Sequence, residues 1–248
     1  MAGHSAWKNI KHKKAAADAK RGKAWSKCVR AIIMAARQGG GDPDANISLR
    51  AAIDEARYHN VPRDTMENAI KKGTGELAKD DIAAVLYEGY GPGGVAMLLE
   101  ILTDNRDRTA PEIKGIFQKH GGNLGASGCA AYLFQSKGEI FVNKAQTTED
   151  KLMETALDAG AEDVTDEGES WRVVCESALL IKVRQGVEKA GVEVEKANLT
   201  MQPATTVAVR GENAQRVLSL LEALEDHDDV QKVYANFEIP EEELAGLK

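Results

Sequence analysis

Nowhere does the chain carry the run of about 18 apolar residues that a membrane-spanning helix needs. Its N-terminus lacks the apolar core of a secretory signal, and it is too regular in Lys and too poor in Ser and Arg for a transit peptide. Cysteine is scarce. Cys28, Cys129 and Cys175 are far apart, odd in number and set among apolar neighbours, so they read as reduced core residues of a cytosolic protein. Signatures of chemistry are missing as well: no His-Glu-x-x-His, no Cys-x-x-Cys, and no Gly-x-x-x-x-Gly-Lys-[Ser/Thr]. The five histidines are scattered, and none stands near a Cys or Ser as a triad would require. Sequence therefore indicates no enzyme, no metal and no cofactor.

The sharpest deficit is local. In the first 37 positions there are ten Lys or Arg residues and one acid, Asp18. Residues 1–75 carry a net charge of +8 although the whole chain is at −7, so residues 76–248 carry −15. Positive charge concentrated at one end of an acidic protein points to a polyanionic partner, because Lys and Arg that neutralise phosphates release condensed counterions. A solvated basic arm is the plainer alternative, and the order of the charges bears on it.

From Lys13 to Arg37 there is no Pro, only Gly22, and Ala at 15, 16, 17, 19, 24, 31, 35 and 36, a helix-favouring composition. On a helix, Trp25, Val29, Ile32 and Ala36 share one face, while Lys13, Lys20, Lys23, Lys27 and Arg30 form a basic ridge on the other. A solvated face usually interleaves acids for i,i+4 pairing, and only Asp18 is available here. The ridge is therefore read as nucleic-acid-binding, with Arg21 beside it. The preceding arm adds Lys8, Lys11, His12 and Lys14. Trp7 lies among these bases and could stack on an unpaired base or anchor the arm by burial; both readings stay open.

Gly3-His4-Ser5-x-Trp7-x-Asn9-Ile10-Lys11-His12-x-Lys14-Ala15-Ala16-x-Asp18-Ala19-Lys20-Arg21-Gly22-Lys23 closely resembles the N-terminal signature of the YebC family, which includes the mitochondrial translational activator of cytochrome c oxidase. Tyr87-Glu88-Gly89-Tyr90-Gly91-Pro92-Gly93-Gly94, Thr103-Asp104-Asn105-Arg106-x-Arg108-Thr109 and Gly121-Gly122-x-Leu124-Gly125-x-x-Gly128 are similar to its later motifs. The likeness spans essentially the whole chain. Two departures are that Ala6 stands where Lys is usual, and Cys129-Ala130 where Ser-Val is common.

The expected fold class is α+β: an N-terminal three-helix bundle followed by two α/β domains of ferredoxin-like βαββαβ character, one inserted in the other. Residues 1–75 hold the arm and bundle, with a second helix capped by Asp44 or Asn46 and a third opened by Pro62 and stopped at Gly73-Thr-Gly75. Strands are expected at 84–90 and 95–103, around a Gly91-Pro92-Gly93-Gly94 turn. A capping box, Thr109-Ala-Pro-Glu112, opens the next helix. Residues 136–203 then read as a complete βαββαβ unit. Residues 76–135 and 204–248 complete one another as a discontinuous middle domain, with strands at 205–210 and 230–237, an arrangement the resemblance also implies. Glu241-Glu242-Glu243 reads as a solvated tail.

Arg106 and Arg108 lie between a strand end and a helix start. They either contact phosphate or pair with Asp104 or Asp107 at the turn. The glycine-dense loop 121–128 reads first as backbone geometry, with close approach to RNA or protein as the lesser reading. Function follows from the charge and the resemblance together. The family likeness implies a ribosome-associated translation factor that relieves stalling, for example at proline runs, with ribosomal RNA as the partner. A DNA-binding transcriptional regulator is the alternative, and a protein-binding adaptor the third. No membrane partner is expected, and the oligomeric state is left open.

Overall fold

The computed structural model describes residues 19–78 and 81–240, with side chains from residue 22 onward. The first helix, α1 (Ala19–Gly39), buries Ile32, Ile33 and Ala36 and half-buries Trp25 and Val29. Around it pack α2 (Ile47–Tyr58) and α3 (Arg63–Thr74). Asn46 caps α2: its side-chain oxygen accepts from the Leu49 amide at 3.1 Å, and its amide donates to the Ala35 carbonyl at 2.8 Å, tying the loop to α1. Such a cap is worth about 1 kcal/mol. Trp25 Nε1 donates to the carbonyl of His59, the residue that ends α2, at 2.8 Å. The third helix stops at Gly75, in the left-handed conformation. Gly73 lies inside α3 instead of ending it, because a Cβ there would come within 2.5 Å of the Ile33 carbonyl oxygen. It lets α3 touch the α1 backbone.

A four-stranded antiparallel sheet follows, in the order β3 (Asn123–Leu124), β1 (Ala83–Gly91), β2 (Val95–Thr103), β9 (Val230–Ala235). β1 and β2 make a hairpin through the Gly91-Pro92-Gly93-Gly94 turn, where Gly93 and Gly94 have φ of 74° and 78°. β3 is short, and β9 returns from far along the chain to pair with β2. Because β2 is central, it is apolar on both faces. Val95, Met97, Leu99 and Ile101 meet Ile113 and Phe117 of α4 (Arg106–Lys119) and Val217, Leu220 and Leu221 of α7 (Gly211–Glu225). Ala96 and Leu98 face Ala130, Phe134 and Tyr234. Leu102 and Ile82 join the core of the helical bundle, so bundle and sheet share apolar contacts.

Between β3 and α7 the chain builds a second sheet: β4 (Phe134–Asn143), α5 (Glu149–Ala159), β5 (Ala161–Asp166), β6 (Ser170–Glu176), α6 (Leu180–Lys189) and β7 (Val194–Pro203). Its antiparallel order, β5–β6–β4–β7, is that of a ferredoxin-like βαββαβ unit. Leu152 and Ala156 of α5 and Leu180, Val183 and Val187 of α6 bury Ile140, Val142, Val173 and Cys175. Bundle and βαββαβ unit touch where Lys196 pairs with Glu55 at 2.7 Å and Ile47 packs onto the unit's core. The whole is an α+β fold.

Several elements differ from sequence expectation. α4 begins at Arg106, not at a Thr109 capping box. Asn105 is its cap and accepts from the Arg108 amide at 3.0 Å, while Thr109 is buried and bonded elsewhere. The strand expected at 205–210 is reduced to β8 (Val207–Ala208), which pairs parallel with β10 (Phe237–Glu238). The strand expected at 230–237 breaks at Asn236, a buried residue whose side chain accepts from the Ala96 amide at 2.7 Å and donates to the Thr205 carbonyl at 3.2 Å. One side chain thus replaces a ladder bond and splits the strand.

Candidate nucleic-acid interface

Of the residues singled out for nucleic-acid binding, Trp7, Lys8, Lys11, His12, Lys13 and Lys14 lie outside the described residues. Lys20 and Arg21 belong to α1, but their side chains are not among those described. Lys23, Lys27 and Arg30 are described, and they share one face of α1. That face meets the acidic turn Glu225-Asp226-His227-Asp228-Asp229 that joins α7 to β9.

Lys23 donates to the Asp226 carbonyl at 3.3 Å and pairs with Asp228 at 3.4 Å. Lys27 donates to the Glu225 carbonyl at 2.5 Å. Arg30 Nη1 reaches the Asp228 carbonyl at 3.0 Å and the Asp229 carboxylate at 2.9 Å. Helical spacing puts these three cations in register with a turn that points its oxygens toward them.

Asp229 is the centre of this seam and is only 1% exposed. Its Oδ1 takes Arg30; its Oδ2 accepts from Arg108 at 2.9 Å and from the Thr109 hydroxyl at 2.7 Å. Burial alone would push this carboxyl up, but the Thr109 and Arg108 hydrogen bonds and the Arg30 charge outweigh it, and its pKa is lowered. The Asp229 amide donates to His227 Nδ1 at 3.2 Å, and His227 Nε2 lies 3.0 Å from the Glu112 carboxylate. Arg108 also pairs with Asp104 at 3.1 Å, one of the two partners weighed for it. Arg106 is exposed and makes no ion pair among the described residues. The two arginines are therefore not brought together: one is bound into the seam and the other faces solvent.

A second buried carboxylate organises the glycine-dense loop. Glu88, in β1, is 3% exposed and accepts from the amides of Gly128 at 2.6 Å and of Ala130 and Ala131 at 2.7 Å. Burial would raise its pKa; the three amides lower it. A Cβ at Gly122 would stand 2.7 Å from the Tyr90 carbonyl oxygen, so the loop can close on β1 only with glycine there. This geometry agrees with the backbone role expected for the loop.

Burial pushes the Cys28 and Cys175 thiols up to about 11, which keeps them protonated and unreactive at neutral pH. Among the described residues, no three His, Cys, Asp or Glu side chains group as a metal site, and no helix is long and apolar enough to cross a membrane. Sequence reading did not single out Asp229, Thr109, His227 or Glu88 as organising groups. The signal available was the clustering of three Asp within residues 226–229, opposite in charge to the ridge.

Residues 5–76 match the model of the TACO1/YebC protein N-terminal domain, and residues 82–237 that of the TACO1/YebC second and third domain. The chain belongs to the TACO1/YebC family. It is 52% identical to a probable transcriptional regulatory protein of Geobacter sulfurreducens over the full length of both chains. It is 53% identical to one from Persephonella marina over 98% of each. The crystal structure of a conserved hypothetical protein from Aquifex aeolicus superposes with a TM-score of 0.82 at 50% identity, covering 92% of this chain and 95% of that one.

Proposed function

We propose that this protein is a non-enzymatic regulator of gene expression that binds nucleic acid through its basic N-terminal segment, acting as a ribosome-associated translation factor that relieves stalled synthesis. The observation that carries the proposal is the charge of residues 1–37, ten cations against one acid, on a chain that is otherwise strongly acidic. Lys8, Lys11, Lys13, Lys14, Lys20 and Arg21 precede Lys23, Lys27 and Arg30 in the sequence and add to their positive charge. Together they offer a track for a phosphate backbone. The acidic remainder is repelled by phosphate and so orients the molecule on a crowded RNA surface.

A DNA-binding transcriptional role is the second reading, and the printed names of the relatives favour it. Against it stands side-chain chemistry. The ridge is Lys-dominated, and Lys is a flexible point charge poorly suited to planar, bidentate readout of bases in a major groove. In α2 and α3, Arg50, Arg57 and Arg63 are each paired to an acid: Asp44, Asp54 and Glu67.

Co-sedimentation with ribosomes, in competition with DNA and with or without nuclease, tests the proposal. Association that survives competing DNA is expected, with weak and sequence-indifferent binding to duplexes. Selection of one strong consensus site from random duplexes, without ribosome association, would replace translation by transcription.

A further inference from the structure

We infer that the turn 225–229 is an internal competitor for phosphate: it occupies the α1 ridge in the closed molecule and must leave Lys23 and Lys27 before a nucleic-acid strand can use them. This rests on the ridge being the nucleic-acid-binding surface. Every acceptor the turn gives to the ridge is an oxygen: the carbonyls of Glu225, Asp226 and Asp228 and the carboxylates of Asp228 and Asp229. A phosphate backbone offers cations the same chemistry, oxygens bearing negative charge at regular intervals.

The contacts fall into two tiers. In the outer tier, the Lys23 and Asp228 side chains are 53% and 60% exposed. Exposed pairs contribute little and are screened by salt, so a strand can displace this tier at small cost. In the inner tier Arg30 meets Asp229, whose side chain is 2% exposed and is also held by Arg108 and Thr109. Removing one partner from a buried ion pair is strongly unfavourable. The outer tier therefore opens while the inner one stays closed as the pivot.

Occupancy of the ridge has a measurable signature. A lysine held by the turn neutralises no phosphate, so fewer condensed counterions leave the strand, and the closed chain binds more weakly and with a shallower salt dependence than an open one.

The test compares the full-length wild-type chain with Asp228→Asn, which removes the exposed charge that holds Lys23 and keeps the side-chain size. The control is Asp150→Asn, the same charge change at an exposed position in the first turn of α5. Binding of a random-sequence single-stranded RNA of about 20 nucleotides is followed by fluorescence anisotropy from about 50 to 200 mM salt. Asp228→Asn should bind roughly three- to fivefold tighter, the equivalent of one exposed ion pair, with the control within about twofold of wild type. Its salt slope should steepen by up to roughly one unit. Unchanged or weaker binding by Asp228→Asn overturns the competitor, as does an equal gain in the control, which would be net charge acting at a distance. If no chain binds at the lowest salt, the nucleic-acid reading falls, and the competitor with it.

Discussion

Glu88 and Asp229 are both buried carboxylates with lowered pKa, but they are satisfied by different kinds of group. Glu88 is held by three backbone amides of a single loop. Asp229 is held by two guanidiniums and a hydroxyl, with Arg30 reaching it from the helical bundle. Backbone donors cannot be mutated away and have no other ligand to go to. Side-chain cations come from other elements, so Asp229 ties the bundle to the middle sheet, and the exposed Lys23–Asp228 pair beside it can be exchanged for another anion. The first arrangement makes a fixed loop, and the second a pivot with a contestable outer edge.

The largest effect that would sharpen this contrast is expected from Glu88→Ala. It leaves three amides without their acceptor and should cost about 3 kcal/mol or more, read as a lower urea midpoint. Asp229→Ala strands Arg30 beside the middle sheet, but Arg108 keeps Asp104; a smaller loss, about 2 kcal/mol, is expected from the same measurement.

Acid should act on both sites. A carboxyl whose folded pKa lies below its unfolded value, about 4, contributes stability that is complete above that value and is lost as pH falls through the folded one. Unfolding free energy should therefore drop steeply below about pH 4. Glu88→Gln and Asp229→Asn should each flatten that dependence. An unaltered acid limb in both variants would remove these carboxylates from the account.

Salt separates the two sites. Raising NaCl toward about 1 M should speed amide hydrogen exchange in the turn 225–229 while leaving Gly128, Ala130 and Ala131 protected. Equal responses would break the comparison. The smallest effect is expected from Trp25→Phe, which loses the bond to the His59 carbonyl and should cost about 1 kcal/mol.

Much of this fold is legible in the sequence because its signals are local. The 3.6-residue period of Trp25, Val29, Ile32 and Ala36 gives the inward face of α1, and the alternation of strands and helices after residue 136 gives the βαββαβ unit. Thr109 and Glu112 have capping-box spacing, which in the sequence places the start of α4 too late. Only the fold reveals that Thr109 is bonded to Asp229, 120 residues away. The break at Asn236 is hidden for the same reason, since its partner is the Ala96 amide. The ridge was legible as a row of cations, but what faces it depends on where α7 delivers its last turn, and no local pattern encodes that.

The pairing of β2 with β9 has a consequence in time. Ala96 and Asn236 are 140 residues apart, so a growing chain at about 5–20 residues per second exposes the β1–β2 hairpin for roughly 7 to 28 s before its partner strand is made. Throughout that interval the apolar edge of β2 is open, and the acidic turn does not yet exist to sit on α1. A nascent chain therefore passes through a stage in which its cationic helix is uncovered beside the ribosome that is making it, and covering that helix is among the last events of its synthesis.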